Sequence, residues 1–108
     1  MNVPYLSNFL KAIPGEPRIT ARHIALYLAI FREIHPEFPD RGVPLRKDEL
    51  MRFAKISGRA TYFRCIHDLH EMGFIRYVPA GHRWMESVAY LKQALIHLLS
   101  RQKAFIRR

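Results

Sequence analysis

The run Cys65-Ile66-His67-Asp68-Leu69-His70 is where this chain comes closest to a metal site. A thiolate and two imidazoles are ligand types that zinc accepts, but a structural zinc needs four ligands in a tetrahedron. On a helix, His67 and His70 share an edge at i, i+3, while Cys65 is rotated away from that edge by about 100° per residue. No second cluster supplies the remaining ligands, so the spacing predicts two surface histidines and no metal. Cys65 is the one cysteine, which excludes an internal disulfide. As a nucleophile it lacks a base oriented by a third group, and its expected role is that of a small buried apolar side chain. The chain has no glycine-rich phosphate loop, no His-Glu-x-x-His pair and no paired-carboxylate pattern. Nuclease chemistry needs clustered acids to hold a metal, and residues 41–108 hold five scattered ones. No catalytic residue, cofactor, metal or small-molecule substrate is therefore expected.

Charge is what remains. Eighteen Lys+Arg against nine Asp+Glu give a net +9 over 108 residues, a balance that favours a polyanionic partner. The excess is uneven. Residues 1–40 carry four basic and four acidic side chains, residues 41–78 eight against four, and residues 79–108 six against Glu86 alone. A polyanion-binding surface is expected in the last two thirds.

The elements that must display those charges follow from hydrophobic period and breakers. The length fits one domain, 1–108. Leu6, Phe9, Leu10 and Ile13 predict a short helical segment over 5–13, closed by Pro14-Gly15 and Pro17. Thr20 is the expected N-cap of a second helix whose apolar stripe is Ile24, Tyr27, Leu28, Phe31 and Ile34, ending near His35 because Pro36 disfavours helix before it. Residues 36–44 read as a loop, with a small strand near Val43–Arg46. Asp48 and Glu49 suit the first turn of a third helix, with Leu50, Phe53 and Ala54 buried and a stop at Ile56-Ser57-Gly58. A fourth helix is expected from about Arg59 to Met72, with Gly73 as its stop. The period then changes to two. Phe74–Val78 and Trp84–Leu91 read as a hairpin about a turn at 79–83. From Lys92 to the end the pattern is helical again. No apolar run approaches the ~20 residues that span a bilayer, and the N-terminus does not read as a secretion signal. The expected address is the cytoplasm.

On the 59–72 helix, Tyr62, Cys65, Ile66 and Leu69 share one face, which leaves Arg59, Ala60, Phe63, Arg64 and His67 on the other. Two guanidiniums on such a strip can meet guanine edges or phosphate, and an aromatic ring can meet a thymine methyl. Lys47, Lys55 and Ser57 are the expected phosphate contacts around it, with Arg52 a weaker candidate; His82 and Arg83 would serve from the tip of the hairpin. Trp84 either anchors the hairpin on the body or touches DNA. Leu91, Leu95, Leu98, Gln102 and Phe105, spaced 4, 3, 4, 3, read as a two-heptad seam. That seam either joins two copies or packs the 92–106 helix back on residues 5–13. Surface binding to a membrane through this basic helix is a weaker reading.

Helix, loop with a small strand, helix, tight turn, helix, glycine, hairpin: over residues 20–91 this order resembles a winged helix-turn-helix DNA-binding domain. The most specific stretch is LRKDELMRFAKISGRATYFRCIHDLHEMGFIRYV, residues 45–78. More narrowly, ITARHIALYLAIF with KISGRATYFRCIHDLHEMGFIRYVP and the SVAYL strand is similar to small winged-helix transcriptional regulators carried by conjugative and other mobile elements of Bacteroides-type bacteria. Two positions depart from the family pattern: Arg46 stands where a capping Ser or Thr is usual, and either Ser57 or Gly58 can cap the following helix. The resemblance implies an α+β, mostly helical domain: a three-helix core, a hairpin wing, an added N-terminal helical segment and a C-terminal helix. It implies binding to double-stranded DNA and regulation of transcription; the expectation of a homodimer comes from the 4, 3, 4, 3 seam. A protein-interaction module in a replication or conjugation complex, with an acidic partner, is the rival reading.

Overall fold

The computed structural model describes residues 3–82 and 85–92. These form an α+β fold: α1 (Val3–Ala12), a 3-10 turn (Ile13–Gly15), α2 (Ala21–Phe31), β1 (Val43–Pro44), α3 (Lys47–Ala54), α4 (Arg59–Glu71), β2 (Ile75–Val78) and β3 (Val88–Leu91). The strands make one antiparallel sheet in the order β1-β3-β2. No helix among the described residues is long and apolar enough to cross a membrane.

Each helix end has a chemical cause. Thr20 caps α2 through a reciprocal box in which its own N–H is accepted by Nδ1 of His23 at 2.9 Å, so two otherwise orphaned donors are satisfied together. Helix α2 ends at Phe31, short of the expected His35, and continues as tighter turns that carry Ile34 into the core. Helices α3 and α4 close with the same motif. In α4 the Phe74 N–H reaches the Leu69 carbonyl and the Gly73 N–H that of His70, with Gly73 at φ 84°. In α3 the Ile56 N–H reaches Met51 and the Lys55 N–H reaches Arg52, with Lys55 at φ 60°. The left-handed residue this motif requires is usually glycine; in α3 it is a lysine.

The core lies where α1, α2, α4 and the sheet meet. Phe9 stacks on Tyr27, with ring centroids 3.7 Å apart, and meets the edge of Phe74 at 5.2 Å. The Tyr27 hydroxyl donates to the Tyr5 carbonyl at 3.3 Å. Helix α1 therefore buries Tyr5, Phe9 and Ala12; of the expected Leu6, Phe9, Leu10 and Ile13, Phe9 is fully buried, Leu6 and Ile13 pack partly against the core, and Leu10 is 48% exposed. In α2 the fully buried positions are His23, Leu26, Tyr27, Ala29 and Ile30, while Ile24, Leu28 and Phe31 are only partly covered. Residues 24–31 are apolar throughout, and such a run carries no phase from which a face can be chosen. Leu50 and Ala54 of α3 are buried as expected, but Phe53 is exposed.

The hairpin is shorter than its pattern. Val78 pairs with Val88, and of the described residues in the expected return strand, 85–87 are not strand and Val88–Leu91 are. Pro79 follows Val78 with no N–H to offer, so the ladder stops there. Gly42, just before β1, lies so close to β3 that a Cβ would sit 2.2 Å from Val88 Cγ1; only a residue without a side chain fits.

Candidate nucleic-acid interface

Helix α4 separates its residues cleanly. Tyr62, Cys65, Ile66 and Leu69 are buried, while Arg59, Ala60, Phe63, Arg64 and His67 are exposed. The inward set fixes the roll of the helix, since Ile66 and Leu69 are completely covered. Phe63 is 37% exposed and keeps its ring edge against Tyr62 at 5.1 Å. Gly58 is the N-cap, with no side-chain cap bond, so the Ser57-or-Gly58 alternative resolves to glycine. The backbone N–H groups of the first turn of α4 therefore have no side-chain acceptor from the cap residue.

A contact between a buried imidazole and a half-exposed carboxylate sets α4 on the body. Nε2 of His23, from α2, lies 2.9 Å from Oδ2 of Asp68 on α4. Because Nδ1 already accepts the Thr20 N–H, the ring proton resides on Nε2 and is donated to the carboxylate. At the other edge of α4, His70 Nδ1 accepts the Tyr77 N–H at 3.0 Å, and the His67 ring meets Tyr77 edge-on at 5.2 Å. These two histidines, the most metal-like pair in the sequence, thus tie β2 to α4. Cys65 lies buried between the faces, and desolvation pushes its thiol up from the ordinary range. Among the described residues no three His, Cys, Asp or Glu side chains gather. Neither the His23–Asp68 bond nor the Tyr77 strut was legible in the sequence, because their partners are brought together by the tertiary fold.

The expected phosphate contacts are spread over three places. Lys55 and Ser57 are exposed in the turn that leads into α4. Lys47 is at the far end of α3, roughly 12 Å away along the axis at 1.5 Å per residue. Its Nζ lies 3.7 Å from Asp48, so it is not a free cation. Arg52 is exposed on α3, and His82 is exposed in the β2–β3 loop. Arg83 and Trp84 lie outside the described residues, as do Leu95, Leu98, Gln102 and Phe105 of the expected seam. Leu91 requires a correction: it belongs to β3, pairs with Ile75 and is buried in this chain's own core, so it does not face outward from a seam.

Family models, curated proteins and solved structures were compared with the chain, and none matches. An exposed strip with two arginines and an aromatic, on a helix whose reverse face is locked into the core, is a rigid surface with donors for anionic or base-edge acceptors. Arg76, which the sequence reading did not single out, adds a cation on the outer face of the sheet, its guanidinium 4.2 Å from the Tyr90 ring centroid.

Proposed function

We propose that the chain binds double-stranded DNA as a winged helix-turn-helix protein and regulates transcription, or another DNA transaction, of a mobile element. Helices α2, α3 and α4 act as the three-helix core, α4 enters the major groove, and the β2–β3 hairpin is the wing. The observation that carries this reading is the outward Arg59–Ala60–Phe63–Arg64–His67 strip, held by a helix whose other face is core. A major groove admits an α-helix, and arginine forks fit guanine edges. Lys55, Ser57, Lys47 and the loop around His82 supply backbone contacts, which position the protein without reading sequence. The mode of action is occupancy, without catalysis.

The reading includes a homodimer, joined through Leu95, Leu98, Gln102 and Phe105. Two copies would present two α4 helices to half-sites about one turn of DNA apart, 34–36 Å. The deciding experiment is selection from a randomised duplex library, followed by titration of the enriched and a scrambled duplex at two salt concentrations. Enrichment of a defined, two-fold repeated site supports the proposal. Failure to bind any duplex at low salt, where phosphate contacts are strongest, removes it.

A further inference from the structure

Away from the α4 strip, α2 and α3 enclose a groove whose centre, at Arg32 and Phe53, the DNA reading does not use. Arg32, which closes α2, lays its guanidinium 4.4 Å from the centroid of the Phe53 ring on α3, and its Nε meets Glu33 at 3.3 Å. Phe53 nonetheless remains 43% exposed. The anchoring of α3 rests on Leu50 and Ala54, so the core does not require an aromatic ring at 53. The ring and Arg32 line an open groove of about 660 Å³ together with Glu49, Arg52 and Lys55. Arg32 and Glu49 also line a smaller hollow of about 210 Å³ that reaches Pro44, Arg46 and Leu50. Arg32, Arg52 and Lys55 thus stand around the exposed Phe53 ring, and Arg46 lines the adjoining hollow. Among the described residues Arg46, Arg52 and Lys55 form no ion pair.

We infer that this groove docks a short acidic segment of a partner protein, with carboxylates on the arginines and one aromatic or branched apolar side chain against Phe53. Guanidiniums pair with carboxylates in a bidentate fork, and an apolar anchor seated within a charged rim is the usual form of a tight peptide contact. Glu33 and Glu49 stand among the cations, where a continuous phosphate chain would be repelled and a peptide with spaced charges would not. The chain's own terminus has the wrong sign, since residues 93–108 carry four basic and no acidic side chains. This inference does not rest on DNA binding. Lys55 is shared with the proposed interface and Arg52 is its weaker phosphate candidate, so the comparison on duplex DNA is made with the Phe53 variants alone.

The test uses the full chain and fluorescence anisotropy with three labelled probes. They are a short peptide with spaced glutamates and one central tryptophan, the same peptide with serine for tryptophan, and an oligothymidylate of equal charge. The tryptophan peptide should bind at least about tenfold more tightly than either control, and Phe53→Ser or Arg52→Glu should each weaken it by about tenfold or more. Phe53→Tyr should retain binding. Both positions are exposed, so far-ultraviolet circular dichroism should show the variants folded, and Phe53→Ser should bind duplex DNA as the unaltered chain does. Equal binding of the serine peptide would reduce the site to general charge attraction. Preference for the oligothymidylate, lost in the same variants, would make it a nucleic-acid site. Absence of peptide binding at low salt, or binding indifferent to both variants, would overturn the inference outright.

Discussion

His23 Nε2 donates to Asp68 Oδ2 at 2.9 Å across a gap of 45 residues, and this bond fixes α4 against α2 from a buried imidazole. The histidine is also half of the α2 capping box, so one side chain sets both the start of one helix and the seating of another. Asp68→Ala would leave a buried N–H without its acceptor, a cost of about 1–3 kcal/mol. Asp68→Asn keeps an acceptor oxygen and should cost less. Urea unfolding of the two variants checks the order. Equal stability of Asp68→Ala and the unaltered protein would mean that the bond does not hold α4.

Lys55 offers a second test, because it combines a strained backbone with a useful charge. It is the one non-glycine with positive φ among the described residues. A side chain there costs roughly 1–2 kcal/mol, which Lys55→Gly should partly recover after the extra chain entropy of glycine, for a gain of up to about 1 kcal/mol. The same change removes an expected phosphate contact. Thermal stability should therefore rise while affinity for every duplex falls, an inverse pairing that calorimetry and a binding titration on one sample would reveal.

Alkaline pH should destabilise the fold for an identifiable reason. Burial raises the Tyr27 phenol and pushes Tyr62 up to about 12, against an ordinary value of about 10. Above pH 10 the unfolded chain loses these protons first, so the native state holds more protons and stability falls as pH rises. The contribution of Tyr62 is complete below pH 10 and disappears as pH climbs toward about 12. Denaturation midpoints across that window should decline, and Tyr62→Phe should flatten part of the decline. The raised Cys65 thiol makes a parallel point. It should resist thiol reagents in the native protein and react once the chain is unfolded.

What could be read from the sequence was local. Gly73 ends α4 as expected because left-handed glycine is chemically marked, and the inward face of α4 was readable because its apolar residues are sparse and periodic. Helix α2 was legible only in part for the opposite reason, since an uninterrupted apolar run points everywhere: Tyr27 and Ile34 are buried as expected, but so are Leu26, Ala29 and Ile30. Lys55 hid the end of α3 by doing a glycine's work. Phe53 was assigned to the core by type, yet Arg32 holds it at the surface from another helix. Partners of that kind have no signature in a periodicity.

The strip on α4 yields the prediction that bears most directly on function. Arg59 and Arg64 are exposed on a face whose orientation the buried Tyr62, Ile66 and Leu69 leave no freedom to change. If their guanidiniums read base edges, Arg59→Ala or Arg64→Ala should each cost about 1–3 kcal/mol on the selected duplex and much less on a scrambled one. Lys55→Ala should instead weaken both duplexes alike and reduce the salt slope by about one charge. Lys47→Ala should do the same more weakly, because Asp48 at 3.7 Å already engages its ammonium. Neither arginine touches the core, so losses of affinity in folded variants report the interface itself. Anisotropy titrations of both duplexes over a salt series separate the two classes. Arginine variants that bind both duplexes as the unaltered chain does would take α4 out of the groove, whatever else the basic surface binds.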